Sequence, residues 1–261
     1  IQKTQGIVTE WQQYEFATGK IEAIKFPYAG AVWLYCLDAS TNECIVNLLS
    51  WKRPLTRYDY NPKSRLTSLS AFNIACRYPG VDDLITEEVE VKSHDGTMVP
   101  LSLFYYKNLK KDGSHIAFMI GYGAYGSGAI QYFNPLFLPL LNRGVIIAYT
   151  HPRGGGEKGF AWHMGGYKST KPNTWKDFIA CGEYLIKHGY TSAKHLIGEG
   201  TSAGGILIGR AMTERPELFA AAINNVPVSN PLRGENRPNG EFDAKEFGTV
   251  KDSTEAMGLI E

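Results

Sequence analysis

The sequence has no surplus of charge and no long apolar run. Its 27 lysine and arginine residues nearly cancel 26 aspartate and glutamate residues, which leaves a formal charge of +1. Such a balance offers no general attraction to nucleic acid or to an anionic membrane. No stretch approaches the roughly 20 apolar residues of a membrane-spanning helix, and Ile1 to Glu10 lacks the basic-then-apolar pattern of a secretion signal. The chain starts on Ile1 and not on Met, so the missing signal weighs little. Cysteine is scarce: Cys36, Cys44, Cys76 and Cys181 are scattered, with no Cys-x-x-Cys pair and no histidine at metal-ligand spacing. Four cysteines can in principle pair, but the usage fits free, mostly buried thiols, no metal and no cofactor. Cytoplasm is the expected compartment, with the periplasm as the alternative.

Internal repeats and low-complexity segments are also missing. What is present is a change of pattern along the 261 residues. The first part carries aromatic and β-branched runs between turn residues. Ala31 to Leu37 and Glu43 to Leu49 flank Asp38-Ala39-Ser40-Thr41-Asn42, which predicts a β-hairpin in an all-β region. Pro79-Gly80 punctuates the chain, and the domain boundary is expected there, giving 1–80 and 81–261. Val89 to Ser93 and Leu101 to Tyr106 follow as strands around the turn His94-Asp95-Gly96.

Beyond Lys107, strands alternate with helices. Ile116 to Ile120 and Val145 to Tyr149 are buried-strand runs, each ending in a glycine-rich loop. Thr174 to His188 reads as a helix with Asn173 as N-cap and Gly189 as stop. Leu196-Ile197-Gly198 forms a strand, Ala203 to Glu214 a helix, and Ala220 to Val226 a further strand. This alternation predicts an α/β fold, a mostly parallel sheet with crossover helices on both faces.

Gly200-Thr201-Ser202-Ala203-Gly204 lies where one of these strands must turn sharply into a helix. A nucleophile elbow of the α/β-hydrolase type holds its serine in a strained conformation, so its neighbours must be small, as Gly200, Ala203, Gly204 and Gly205 are. The Ala203 N–H then sits at a helix N-terminus, where it can stabilise an oxyanion. A dinucleotide-binding turn is the competing reading of Gly198-x-Gly200-x-x-x-Gly204. That site would carry an acid after the next strand, and this strand ends in Asn224-Asn225-Val226-Pro227. Tyr122, in Gly121-Tyr122-Gly123-Ala124-Tyr125-Gly126, is either a second oxyanion donor or a packing anchor.

Taken in order, His94-Asp95-Gly96-Thr97, Asp112-Gly113-Ser114, Gly121-Tyr122-Gly123, Arg153-Gly154-Gly155-Gly156-Glu157 and Gly200-x-Ser202-x-Gly204-Gly205 resemble the prolyl oligopeptidase family of serine peptidases. The resemblance runs from about Asp83 to the end. It implies an α/β-hydrolase peptidase domain preceded, over 1–80, by the last strands of an incomplete β-propeller. It implies Ser202 as acylating nucleophile, with the Tyr122 hydroxyl and the Ala203 N–H on the oxyanion, and short peptides as substrates.

Tyr125, Asp243 and Glu246 are the substrate-binding candidates by the same resemblance. No tryptophan lies between Asn230 and Gly248, where proline-specific members carry one, whereas Asp243 and Glu246 precede Phe247-Gly248 much as acids do in relatives that cut after basic residues. Two carboxylates facing a P1 guanidinium would make charge-assisted hydrogen bonds, but they equally fit ordinary surface acids on a loop. The P1 preference, proline or basic, stays open. Arg153 and Glu157 are expected to brace their loop by mutual or backbone hydrogen bonds.

The constellation lacks its base. In α/β-hydrolases the acid and the histidine follow the serine, yet His94, His115, His151, His163, His188 and His195 all precede Ser202. The chain is therefore expected to be a truncated piece without full activity, its triad acid and histidine lying outside it. An esterase-type hydrolase and a non-catalytic peptide-binding relic of a hydrolase remain the alternatives.

Overall fold

The computed structural model describes residues 1–38, 40, 43–238 and 240–260. The chain divides into two compact units, residues 1–84 with 130–138, and residues 85–129 with 139–261.

The first unit holds two antiparallel sheets. β1 (Gln2–Gln5), β2 (Val8–Tyr14) and β3 (Ile21–Ala23) form one, and β4 (Ala31–Asp38), β5 (Glu43–Ser50), β6 (Arg53–Asn61) and β7 (Leu66–Leu69) form the other. Along β5 the alternation buries Val46, Leu48 and Ser50 while their neighbours stay half-exposed, and Val32, Val46, Leu48 and Tyr60 make the core. The hairpin expected at 31–49 is β4–β5. Of its turn, Ala39, Thr41 and Asn42 lie outside the described residues.

In the second unit a six-stranded sheet is built from β8 (Leu84–Lys92), β9 (Met98–Tyr106), β10 (Ala117–Gly121), β11 (Ile146–Thr150), β12 (Leu196–Thr201) and β13 (Ala221–Asn225). Its order is β13-β12-β10-β11-β9-β8. β13, β12, β10 and β11 pair in parallel, and β9 runs antiparallel to β11, so the sheet is mixed. The helices are α1 (Leu138–Leu141), α2 (Phe160–Met164), α3 (Pro172–Lys187), α4 (Gly204–Glu214), α5 (Gly240–Phe247) and α6 (Ser253–Ile260). Leu101, Leu103, Met119, Ile146, Phe178, Leu196 and Leu207 are all but fully buried in one core. Among the described residues no helix is long and apolar enough to cross a membrane.

Three local expectations need correcting. The N-cap of α3 is Lys171, because Pro172 takes the first helical position, where its missing N–H is harmless; Asn173 sits inside the helix and donates to the Gly165 carbonyl. The segment carrying Asp243 and Glu246 is α5, not a loop. The thiols are not mostly buried either: Cys181 is, but Cys36 and Cys76 are exposed and Cys44 is half-exposed. By alternation Cys36 and Cys44 share the face of Val32, Val46 and Leu48, at the end of the hairpin where the cover runs out.

Candidate active site

β12 stops at Thr201 and α4 starts at Gly204, which leaves Ser202 and Ala203 to turn the chain. Ser202 has φ +56°, the left-handed region that a β-carbon makes costly. Its backbone is clamped from both sides. The Ser202 N–H donates to the Asn225 carbonyl at 2.9 Å, and the Ser202 carbonyl accepts from Gly205 N–H at 2.9 Å and Val228 N–H at 2.8 Å. Gly205 has no room for a side chain, since a β-carbon there would stand 2.4 Å from the Pro227 side chain. The Ser202 side chain is thereby presented to solvent, while Ala203 behind it is buried.

The loop after β10 lies against this turn. A β-carbon on Gly204 would meet the Gly121 carbonyl oxygen at 2.7 Å, and Tyr122 packs on the cluster of Ala124, Ala203 and Phe247. The Tyr122 ring is thus a packing anchor, yet its hydroxyl has no hydrogen-bond partner among the described residues. Burial, and then the charges of Glu246 and Asp243, push its pKa up, so the hydroxyl stays protonated and able to donate. The Ala203 N–H, at the N-cap of α4, also has no acceptor among the described residues. An exposed serine on a strained turn, with the uncommitted Ala203 N–H next to it and the Tyr122 ring packed on the same cluster, has the donor types an oxyanion site would use.

Asp243 and Glu246 are both buried, which rules out their reading as surface acids. Asp243 accepts from the Tyr125 hydroxyl at 2.7 Å and pairs with Arg237 at 2.5 Å. Glu246 accepts from the Tyr125 backbone N–H at 2.7 Å and meets His163 Nε2 at 2.8 Å. Tyr125, itself at φ +58°, packs edge-on against Phe247 with ring centroids 5.5 Å apart. Its hydroxyl is driven strongly upward by burial and by the bond to Asp243. Lys171 completes the group: its ammonium donates to the Gly123 carbonyl of the loop and lies 5.2 Å from the centre of the Phe247 ring. Burial lowers its pKa to about 8, with Glu246 pulling the other way.

Among the described residues no histidine is hydrogen-bonded to Ser202. His94 meets Ser93, His115 the Gly144 carbonyl, His188 the Tyr184 carbonyl and His195 Ser192. His163 is held by Glu246, and His151 lies fully buried between Ser102 Oγ at 2.7 Å and Glu157 at 3.3 Å. Of the expected mutual or backbone bonds, Glu157 makes the backbone kind, accepting from the Ala129 N–H, whereas Arg153 pairs with Asp177 and Asp95 and not with Glu157. Among the described residues no group of three histidine, cysteine, aspartate or glutamate side chains could hold a metal ion.

His163, Lys171, Arg237 and Phe247 were not singled out from the sequence. Phe247, next to a glycine after two acids, carried a local signal; His163 and Lys171 join the site through partners 83 and 48 positions away, and Arg237 through Asp243 six positions on.

Residues 131–258 match the prolyl oligopeptidase family. A prolyl endopeptidase of Elizabethkingia meningoseptica is 32% identical over 253 residues, 97% of this chain and 36% of that protein. A dual function macrocyclase-peptidase of Galerina marginata is 36% identical over 64% of this chain and 23% of that protein. Among solved structures, prolyl oligopeptidase B from Galerina marginata bound to a 25mer macrocyclization substrate superposes with a TM-score of 0.92 at 27% identity, covering 99% of this chain and 36% of that one. Oligopeptidase B from Trypanosoma brucei gives 0.85 at 29% identity, covering 97% of this chain and 37% of that one. The chain therefore spans little more than a third of the length of the prolyl endopeptidase it matches.

Proposed function

The chain carries a prolyl oligopeptidase family domain, and from that premise we propose that it contributes the nucleophile and the oxyanion site of a serine peptidase acting on short peptides. The carrying observation is Ser202 at φ +56° between β12 and α4, exposed, with the Ala203 N–H uncommitted beside it and the Tyr122 side chain packed on the Ala203 cluster. Ser202 Oγ attacks the scissile carbonyl, the two donors hold the resulting oxyanion, and collapse leaves an acyl-enzyme that water hydrolyses. The base and its acid are supplied from outside residues 1–261. In the same reading residues 81–261 are the peptidase domain, and the two antiparallel sheets of 1–80 are the last strands of a β-propeller that restricts access to short substrates.

For the P1 residue the paired acids weigh against a basic side chain. Asp243 is already paired with the guanidinium of Arg237, and Glu246 accepts from the Tyr125 N–H and meets His163, so part of the acids' charge is already matched within the chain. The Tyr125 ring, exposed and backed edge-on by the buried Phe247 ring, offers an apolar surface on which a P1 proline ring can pack.

The test is a fluorophosphonate probe applied to the full-length protein that contains residues 1–261, with peptide and ester substrates assayed in parallel. Labelling of Ser202 that disappears in Ser202→Ala, with hydrolysis of prolyl peptides, is expected. Labelling that survives the substitution would overturn the assignment. Ester turnover without peptide turnover would make the protein an esterase, and peptide binding without labelling would make it a non-catalytic binder.

A further inference from the structure

We propose that Cys36 and Cys44 form a cross-strand dithiol that closes to a disulfide by exchange with a small disulfide of the glutathione type. The two residues stand directly opposite each other in the antiparallel β4–β5 pair, beside the irregularity between Cys36 and Asp38. Opposed residues of an antiparallel pair have Cα atoms about 4.5 to 5.5 Å apart, inside the roughly 4.4 to 6.8 Å that a disulfide spans, so no backbone movement is needed. Both side chains leave the same face, and their sulfurs are 2.7 Å apart. Cys36 is exposed, which gives a small reagent access. Neither other cysteine combines these features: Cys181 is buried, with its thiol pushed well up by that burial, and Cys76 is exposed without a thiol neighbour among the described residues.

The exchange runs in two steps. The Cys36 thiolate attacks one sulfur of the small disulfide, forming a mixed disulfide and releasing one glutathione thiolate, which takes up the proton Cys36 lost. The Cys44 thiol then gives up its proton and attacks the Cys36 sulfur, forming the intramolecular bond and releasing the second glutathione. Two protein thiols are oxidised and one small disulfide is reduced to two thiols. Cys36 acts first because burial, then the neighbouring Cys36, raise the Cys44 pKa to about 12 and keep it protonated. The product ties β4 to β5 at the base of the turn and is independent of any peptidase activity.

The experiment exposes the folded, reduced protein to oxidised glutathione, blocks remaining thiols with iodoacetamide and digests with trypsin. Both cysteines fall in one tryptic peptide, residues 26–52, since no lysine or arginine lies between Lys25 and Lys52. That peptide is expected to take up no alkyl group and to be about 2 Da lighter than its unalkylated dithiol form. Dithiothreitol should restore both alkylation sites, and in Cys36→Ser Cys44 should stay open to alkylation or stop at a glutathione adduct. A wild-type peptide that still carries two alkyl groups, a glutathione adduct on Cys36 that never resolves, or a bond from either cysteine to Cys76 would overturn the proposal.

Discussion

Gly200 and Gly204 approach so closely across the candidate elbow that a β-carbon on Gly200 would stand 2.0 Å from the Gly204 carbonyl oxygen. That contact is between backbones, so no side-chain rotation relieves it. Gly200→Ala is expected to force β12 and α4 apart at their junction, at a cost of at least about 2 kcal/mol in urea unfolding. A loss below 0.5 kcal/mol would show the turn to be loose.

The strain at Ser202 gives a second expectation. With φ at +56°, glycine fits this position better than alanine, so Ser202→Gly should be more stable than Ser202→Ala by about 1 kcal/mol, although both lack the nucleophile. Paired thermal melts decide it. Equal stabilities would mean that Ser202 relaxes out of the left-handed region in solution.

Arg153 and Asp177 form a two-armed pair, with Asp177 fully buried and accepting also from the Arg153 backbone N–H and the Ser93 hydroxyl. Asp177→Asn should therefore cost about 3 to 5 kcal/mol, because Arg153 keeps its burial and loses most of its counter-charge. The exposed pair of Lys158 and Glu90 is the control, where Glu90→Gln should cost below about 1 kcal/mol. Similar losses in urea titrations of the two variants would contradict the role given to burial.

The elbow was legible because its constraint is local. Small residues around Ser202 are needed by contacts within a few positions, and β10 and β11 announced themselves as apolar runs because their central place in the sheet covers both faces. The Cys36–Cys44 opposition was not legible: Asp38 pairs with Glu43, and only the register shift between Cys36 and Asp38 brings Cys36 opposite Cys44. What also could not be read is the wall of the site. Glu246 finds His163 83 positions away and Tyr125 121 away, and α5 between Gly240 and Phe247 has too few apolar residues to declare a helical period. Isolated acids ahead of Phe247 look the same whether solvated or buried until the fold supplies partners.

Lys171 allows a pH test. Its pKa is lowered to about 8 from 10.5, so between these values the folded chain binds fewer protons than the unfolded one, and this group makes stability rise with pH across that window. The full rise is about 3 kcal/mol, with the penalty constant below pH 8. Wild type measured against Lys171→Met should therefore gain relative stability from pH 8 to about 10.5. A difference that is flat or falling over that range would place the ammonium in water and not against Gly123 and Phe247.

Tyr122→Phe separates the ring from its hydroxyl. The ring supplies the packing on Ala124, Ala203 and Phe247, and the hydroxyl has no partner among the described residues, so stability should change by less than about 0.5 kcal/mol. If the hydroxyl holds the oxyanion, kcat of the full-length peptidase should fall by about 10² to 10³ with KM little changed, because the bond forms only as charge develops. A loss of stability with unchanged kcat would assign Tyr122 to packing alone, leaving the Ala203 N–H as the one donor beside Ser202.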